Sequence, residues 1–158
     1  MPRPPPPTDT GVGPGCRDRI PEMGSSELAS AFLTDWHRIV AEQDLEALHE
    51  ILAEDVSIGA PPYWQRLEGR KLVHHLLGLI IQTIEGFSYH REWQQGGELA
   101  LEFTGRVEGL DLQGIDLISL DTEGSIARLD VLIRPVNAVN ALMGIITPQL
   151  ATFLAEPD

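Results

Sequence analysis

The spacing of the hydrophobic residues changes about halfway along the chain, and this change constrains the fold more than any other feature. Up to about residue 81, apolar residues recur every three or four positions, as on one face of a helix. From about residue 87 they alternate with polar residues, as in strands with one buried face. Helices followed by an antiparallel run of strands predict an α+β domain, in which helices cover one face of a curved sheet and leave a pocket beneath them.

Three helices and a short strand are predicted in the first half. The first helix begins at Ser25 or Ser26, whose hydroxyls can accept free amide hydrogens. Asp44 caps a second, shorter helix, and Gly69 precedes the third. The apolar stripe of the first helix includes Leu28, Phe32, Trp36, Ile39 and Val40, and the short strand covers Val56 to Ile58.

The second half predicts a meander of strands. Phe87, Tyr89, Arg91 and Trp93 alternate with polar positions in its first strand. Turns are expected at Gly96-Gly97 and from Asp121 to Gly124. The remaining strands are expected around 99–107, over Leu110–Leu120 and over Ile126–Arg134, with a closing helix over Asn137–Ile146.

The first 24 residues differ in composition from the rest. They hold seven of the twelve prolines and four of the fifteen glycines, and their three basic and three acidic residues cancel. Such a segment buries too little apolar surface to offset its ordering entropy, so we predict a disordered tail over 1–24. The Pro4 to Pro7 run is interpreted as a stiff linker. A single domain is expected over 25–147, followed by a C-terminal extension over 148–158.

The charge balance excludes several classes of partner. Acidic residues number 24 and basic residues 11, giving a net charge of −13. Nucleic acids and anionic membranes require a basic face, so neither is expected as a partner. No uninterrupted apolar run approaches the length of a membrane span. The single cysteine and the missing signal-peptide core predict a cytoplasmic protein, and ten arginines against one lysine suggest a GC-rich bacterial genome.

Several local phrases, taken in order, resemble the nuclear transport factor 2-like superfamily. The resemblance covers about residues 28–140 and is to the ketosteroid isomerase and SnoaL-like (polyketide cyclase) branch. The phrases are Asp44 to Leu48, Ala53 to Val56, Pro61, Gly69-Arg70, Gly114 to Leu117, Asp121 to Ile126 and Ile133 to Pro135. The resemblance implies a cone-shaped domain that encloses a pocket and forms a homodimer through the outer face of its sheet.

The resemblance also implies roles for three positions. In ketosteroid isomerases a Tyr on the first helix and a protonated Asp hold the developing oxyanion, and a second Asp carries the proton. The Tyr position falls on Trp36, the proton-carrying position on Ala60 and the oxyanion position on Asp116. Because a methyl group cannot take a proton, the resemblance leaves Asp116 as the candidate catalytic group.

Asp116 is also the strongest candidate from its own surroundings. Its neighbours Ile115, Leu117 and Ile118 are apolar, and desolvation in a pocket would raise its pKa and make it a reversible acid or base. The alternative is a carboxylate tied to Arg or backbone amides at the sheet rim. The predicted pocket residues are Phe32, Trp36, Tyr63, Trp64, Leu101, Phe103, Ile118, Leu129, Val131 and Ile133, with Tyr63 and Trp64 as a lid.

A second constellation is compatible with different chemistry. Arg106 and Glu108 share one face of a strand if the strand continues to Glu108. Limonene epoxide hydrolase-like members of the superfamily use an Arg flanked by two acids. The second acid would here be Asp116 or Asp130, which gives an alternative catalytic set of Arg106, Glu108 and Asp130.

Three functions therefore remain open at the level of sequence. The first is binding of a small hydrophobic molecule, polycyclic or polyketide-like, with cofactor-free isomerase, cyclase or dehydratase chemistry at Asp116. The second is a non-catalytic ligand-binding or protein-interaction module of the same fold. The third is epoxide hydrolase-like activity. No metal or other cofactor is expected, because the histidines and the lone cysteine lack metal-ligand spacing.

Overall fold

The computed structural model describes residues 23–157, which form helices packed on one six-stranded sheet. The helices are α1 (Ser25–Glu42), α2 (Leu45–Glu50), α3 (Arg70–Thr83) and α4 (Val136–Ala155). The strands are β1 (Leu52–Gly59), β2 (Leu67–Glu68), β3 (Glu85–Gln95), β4 (Glu98–Val107), β5 (Leu110–Leu120) and β6 (Ile126–Arg134). The predicted α+β class is confirmed. The predicted tail, apart from Met23 and Gly24, lies outside the described residues.

The strands are ordered β2-β1-β6-β5-β4-β3 across the sheet. Neighbours from β6 to β3 are antiparallel, as the meander predicts, but β1 runs parallel to β6. The sheet is therefore mixed, which corrects the expectation of a wholly antiparallel one. The reason is that β1 and β6 are far apart in sequence, so no tight hairpin sets their relative direction.

The cross-strand register divides the side chains between two faces. Opposite residues in an antiparallel pair point the same way, so one row joins Leu101, Asp116 and Val131. We call this face, which is covered by the helices, the inner face. The next row, Ala100, Leu117 and Asp130, lies on the outer face. The hydrophobic core is therefore enclosed between the inner face of the sheet and the helices.

Helices α2 and α3 begin where the sequence predicts, but the serine cap predicted for α1 is wrong: Gly24 precedes the helix, and no side chain there bonds the free amides. The Asp44 carboxylate accepts a hydrogen bond from the amide of Ala47 at 3.1 Å and so caps α2. Gly69 precedes α3 with φ at 98°, in the left-handed region that glycine adopts without strain. Asp44 thus marks the start of α2 after α1, and Gly69 marks the start of α3 after β2.

The closing helix is longer than predicted. It was expected over 137–146, but α4 continues through Pro148 to Ala155. Ala138, Leu142, Ile146 and Leu150 recur every fourth residue and are all buried, so core packing extends the helix. Among the described residues, α4 is the one helix long and apolar enough by length and composition to cross a membrane.

Candidate functional site

Asp116 lies near the middle of β5 with its side chain on the inner face. Only 5% of the residue is exposed, and its cross-strand neighbours Leu101 and Val131 are buried apolar residues. Burial raises the pKa of Asp116 from 3.8 to about 7, although a hydrogen bond from Tyr89 acts in the opposite direction. The carboxyl is therefore poised to gain and lose a proton near neutral pH.

A chain of two hydrogen bonds connects Asp116 to the first helix. The Tyr89 hydroxyl on β3 donates to Oδ2 of Asp116 at 2.8 Å. The indole Nε1 of Trp36 on α1 donates to the Tyr89 hydroxyl oxygen at 2.9 Å. The pKa of Tyr89 lies well above its usual value of 10, because of burial first and the neighbouring Asp116 second. Tyr89 therefore remains a neutral donor at any physiological pH.

Aromatic rings pack beside the Trp36–Tyr89–Asp116 hydrogen bonds. The Phe103 ring stacks on Phe87, with centroids 4.6 Å apart, and meets Tyr89 edge-on at 6.2 Å. A Cβ atom added at Gly114, opposite Phe103, would lie 2.3 Å from Cζ of that ring. Phe103 therefore occupies the space that the missing side chain of Gly114 leaves open, two residues along β5 from Asp116.

A contact between a histidine and a glutamate lies at the surface over Tyr89. The Nε2 atom of His37 on α1 contacts a carboxylate oxygen of Glu92 on β3, and both side chains are partly exposed. The His37 ring meets the edge of the Tyr89 ring at a centroid distance of 5.2 Å. The pair therefore adjoins Tyr89 at the junction of α1 and β3, where its side chains are partly exposed.

Most of the predicted pocket residues meet in one cluster. Phe32, Trp36, Leu101, Phe103, Ile118, Leu129 and Val131 are all buried in the single hydrophobic core, and Ile133 packs against it partly buried. Asp116 lies on the same inner face. Asp116 does not line any of five surface cavities within residues 23–157, and its cross-strand neighbours Leu101 and Val131 are buried in the core.

Tyr63 and Trp64 lie elsewhere. They line a surface cavity of about 690 Å³ together with Leu117 and Leu132, whose side chains belong to the outer face. Trp64 is 97% exposed. The two aromatics therefore border a different cavity from the space around Asp116, because the loop after β1 folds toward the outer face of the sheet.

The alternative catalytic set is not assembled. Strand β4 ends at Val107, and Glu108 stands in the following turn with φ at 50°. Arg106 pairs with Asp111, whereas Asp130 is held by Arg66 and Arg128. Asp130 is opposite Leu117, six positions along β5 from Asp111, which corresponds to about 20 Å. The shared face predicted for Arg106 and Glu108 is thus corrected by the end of the strand.

Sequence reasoning does not single out Tyr89 as a site residue. The alternation suggests one face for Phe87, Tyr89, Arg91 and Trp93, but a register shift between Tyr89 and Glu92 divides them. Tyr89 stays inside, while Arg91 pairs with Glu102 on the outer face. Only the register of β3 on β4 could have shown that Tyr89 reaches across β4 to Asp116.

The groups of the site can exchange a proton with a bound molecule. Within the described range, no three His, Cys, Asp or Glu side chains are grouped so as to hold a metal ion. The site offers one carboxyl that titrates near neutral pH, one phenol that donates, and aromatic walls. Such groups can bind a planar apolar molecule and exchange a proton with it.

Comparison with known proteins places the chain in a family. It is 33% identical to a steroid delta-isomerase from Pseudomonas aeruginosa, covering 82% of this chain and 96% of that one, with a TM-score of 0.76. It is 35% identical to an uncharacterized bacterial protein with a cystatin-like fold from Silicibacter pomeroyi, covering 78% and 89% of the chains, with a TM-score of 0.74.

A third solved structure shares the fold at lower identity. An NTF2-like protein of unknown function from Burkholderia xenovorans has 18% identity, coverage of 69% and 84%, and a TM-score of 0.61. No protein-family model and no curated protein matches the chain. The identity and coverage shared with the isomerase, together with the observed architecture, show that this chain belongs to the nuclear transport factor 2-like superfamily.

Proposed function

We propose that the protein binds a small hydrophobic molecule beside Asp116 and exchanges a proton with it without a cofactor, in a reaction of the isomerase, cyclase or dehydratase type. The observation that carries this proposal is a carboxyl buried among apolar side chains with a pKa of about 7. An acid–base group works best when both protonation states are populated at the working pH. The similarity to a steroid delta-isomerase supports the same class of chemistry.

Ligand entry requires the interior to open. The Phe103 ring fills the space beside Gly114, so a ligand next to Asp116 would displace that ring. The junction of α1 and β3 is the proposed entrance, because the His37–Glu92 pair there is partly exposed and adjoins Tyr89.

A non-catalytic module of the same fold is the second candidate. Two observations favour it: the interior is filled by the protein's own side chains, and Ala60 occupies the position that the resemblance assigns to the proton carrier. Binding of a probe beside Asp116 separates the first candidate from a protein-interaction module whose interior takes no ligand.

We expect Asp116→Asn to weaken binding of 2-naphthol, a planar apolar probe with one hydroxyl, by about 10- to 100-fold. The reason is that a hydrogen bond to an ionised group contributes more than one to a neutral amide. The measurement is isothermal titration calorimetry at about pH 8, where Asp116 is mostly ionised.

The matched control is Asp111→Asn on the same strand. The Asp111 side chain is 80% exposed and lies on the outer face, so its replacement should leave 2-naphthol binding unchanged. Equal affinity of the wild-type and Asp116→Asn proteins, or no saturable binding by either, would contradict a ligand site at Asp116 and favour the protein-interaction module.

We further propose a homodimer through the outer face. Leu132 and Leu117 on this face are 55% and 42% exposed, and Trp93 is 49% exposed in the row of Leu117. Exposed apolar residues grouped on one face are typical of protein interfaces. Sedimentation equilibrium should give a dimer for the wild-type protein and a monomer for Leu132→Arg, with an unchanged far-ultraviolet circular dichroism spectrum. A wild-type monomer contradicts the proposal.

A further inference from the structure

The hydrogen-bond chain through Tyr89 has a fixed direction. An indole nitrogen carries one hydrogen and can only donate, so the Tyr89 oxygen must accept from Trp36. The phenol has one proton of its own, which is thereby directed to Asp116 Oδ2. Trp36 thus determines which way the Tyr89 hydroxyl points, and Tyr89 makes Oδ2 an acceptor.

The second oxygen of Asp116 is in a different situation. Within residues 23–157 no hydrogen bond is formed to Oδ1, whereas Oδ2 has the Tyr89 donor. When the carboxyl is neutral, a proton on Oδ2 would compete with the Tyr89 hydrogen, so the proton belongs on Oδ1. Oδ1 is therefore the oxygen at which the proton enters and leaves.

The Tyr89 donor on Oδ2 favours the ionised form of the carboxyl. We propose that Asp116 therefore acts as a proton acceptor through Oδ1, and that Tyr89, oriented by Trp36, is the positioning residue that fixes this polarity. The part of this inference that concerns the ligand rests on the proposed function. The role of Tyr89 does not depend on it. The acceptor role of Asp116 reverses the role that the resemblance implies, in which this carboxyl donates to an oxyanion. The ligand class is one that presents a proton donor to Oδ1: an O–H bond forms at Asp116, the donor bond of the ligand breaks, and its electron pair stays on the ligand.

The first test measures the pKa of Asp116 by carboxyl ¹³C NMR. Tyr89→Phe removes the donor that favours the ionised form, so the pKa should rise by about 1 above the wild-type value. Trp36→Phe leaves the Tyr89 hydroxyl free to turn and accept from the neutral carboxyl, so a smaller rise is expected. If Tyr89→Phe does not fold, the Trp36→Phe comparison decides the same point.

The chain offers a matched control, because it contains two tyrosines. Tyr63→Phe removes a phenol oxygen at the outer-face cavity and should leave the pKa of Asp116 unchanged. A purely structural role of Tyr89 would lower stability in Tyr89→Phe without changing that pKa. An unchanged or lower pKa in Tyr89→Phe overturns the assignment.

The second test uses the pH dependence of 2-naphthol binding. An acceptor at Oδ1 gains affinity for a hydroxyl donor as it ionises, by about tenfold between about pH 6 and about pH 8. In Tyr89→Phe this gain in affinity should occur at higher pH, because the pKa of Asp116 is expected to be higher. Affinity that falls with rising pH would show that Asp116 donates, and would overturn the acceptor role. Absence of wild-type binding would instead contradict the proposed function, while the pKa comparison still decides the role of Tyr89.

Discussion

Asp116→Asn should abolish the loss of folding stability that the buried Asp116 carboxyl causes as the pH rises from about 4 to about 7. The pKa of Asp116 is about 7 in the folded protein and about 3.9 in an unfolded chain. Within this window the unfolded chain loses the Asp116 proton that the folded protein keeps, so the contribution of Asp116 to stability falls as pH rises. The difference between the two pKa values corresponds to about 4 kcal/mol of folding stability. This stabilisation is fully present below about pH 4 and lost above about pH 7.

The measurement is urea unfolding of both proteins at a series of pH values. The quantity to compare is the difference between them, because other carboxylates contribute oppositely: Arg91 and Gln113 lower the pKa of Glu102, for example. The buried amide of Asn adds a cost that does not vary with pH, so only the slope is diagnostic. Asp111→Asn, which changes an exposed carboxylate of the same strand, should keep the wild-type slope. Parallel curves for wild type and Asp116→Asn would show that Asp116 titrates as a solvated group.

The parts of the fold that follow local rules could be predicted from the sequence. The boundaries Leu110–Leu120 and Ile126–Arg134 of β5 and β6 are confirmed, because strict alternation and the flanking turn residues determine them. The direction of β1 could not be predicted, because it pairs with β6 across most of the chain and no local signal encodes that pairing. The length of α4 was underestimated because Pro148 suggests an end, whereas burial of Leu150 extends the helix.

The candidate site likewise has parts that the sequence could predict and parts that it could not. Alternation groups Asp116 with Gly114 and Ile118 on one face of β5, and the structure shows that this face is the buried one. The partner of Asp116 was not predictable, because Tyr89 reaches it across β4 and the register shift after Tyr89 has no signature in the sequence. Glu108 shows a prediction that failed because a strand end was misplaced. Its position two residues after Arg106 gives a shared face only if the strand continues, and the strand ends at Val107.

The Phe103 ring provides the second large expected effect. Phe103 is 1% exposed and packs between Phe87, Tyr89 and the backbone at Gly114. Phe103→Ala should lower the free energy of unfolding by about 3–5 kcal/mol, because it removes a buried ring and leaves an apolar cavity. If this ring occupies the ligand's place, the variant should also bind 2-naphthol more tightly than the wild-type protein, since no ring has to be displaced. Urea unfolding and calorimetry measure the two effects.

A cavity made elsewhere in the core serves as the control that separates the effect of Phe103→Ala on stability from its effect on 2-naphthol binding. Leu48→Ala on α2 deletes a fully buried side chain among the helices and should cost about 2–5 kcal/mol without a gain in 2-naphthol binding. Phe103→Leu, with a smaller loss of volume, keeps the comparison available if Phe103→Ala is too unstable to purify. A loss of stability at residue 103 without tighter binding would mean that Phe103 is a core residue only, and that the ligand space lies elsewhere. Tighter binding that disappears when Asp116→Asn is added would place the ligand between Phe103 and the carboxyl, because only a molecule in that space contacts both.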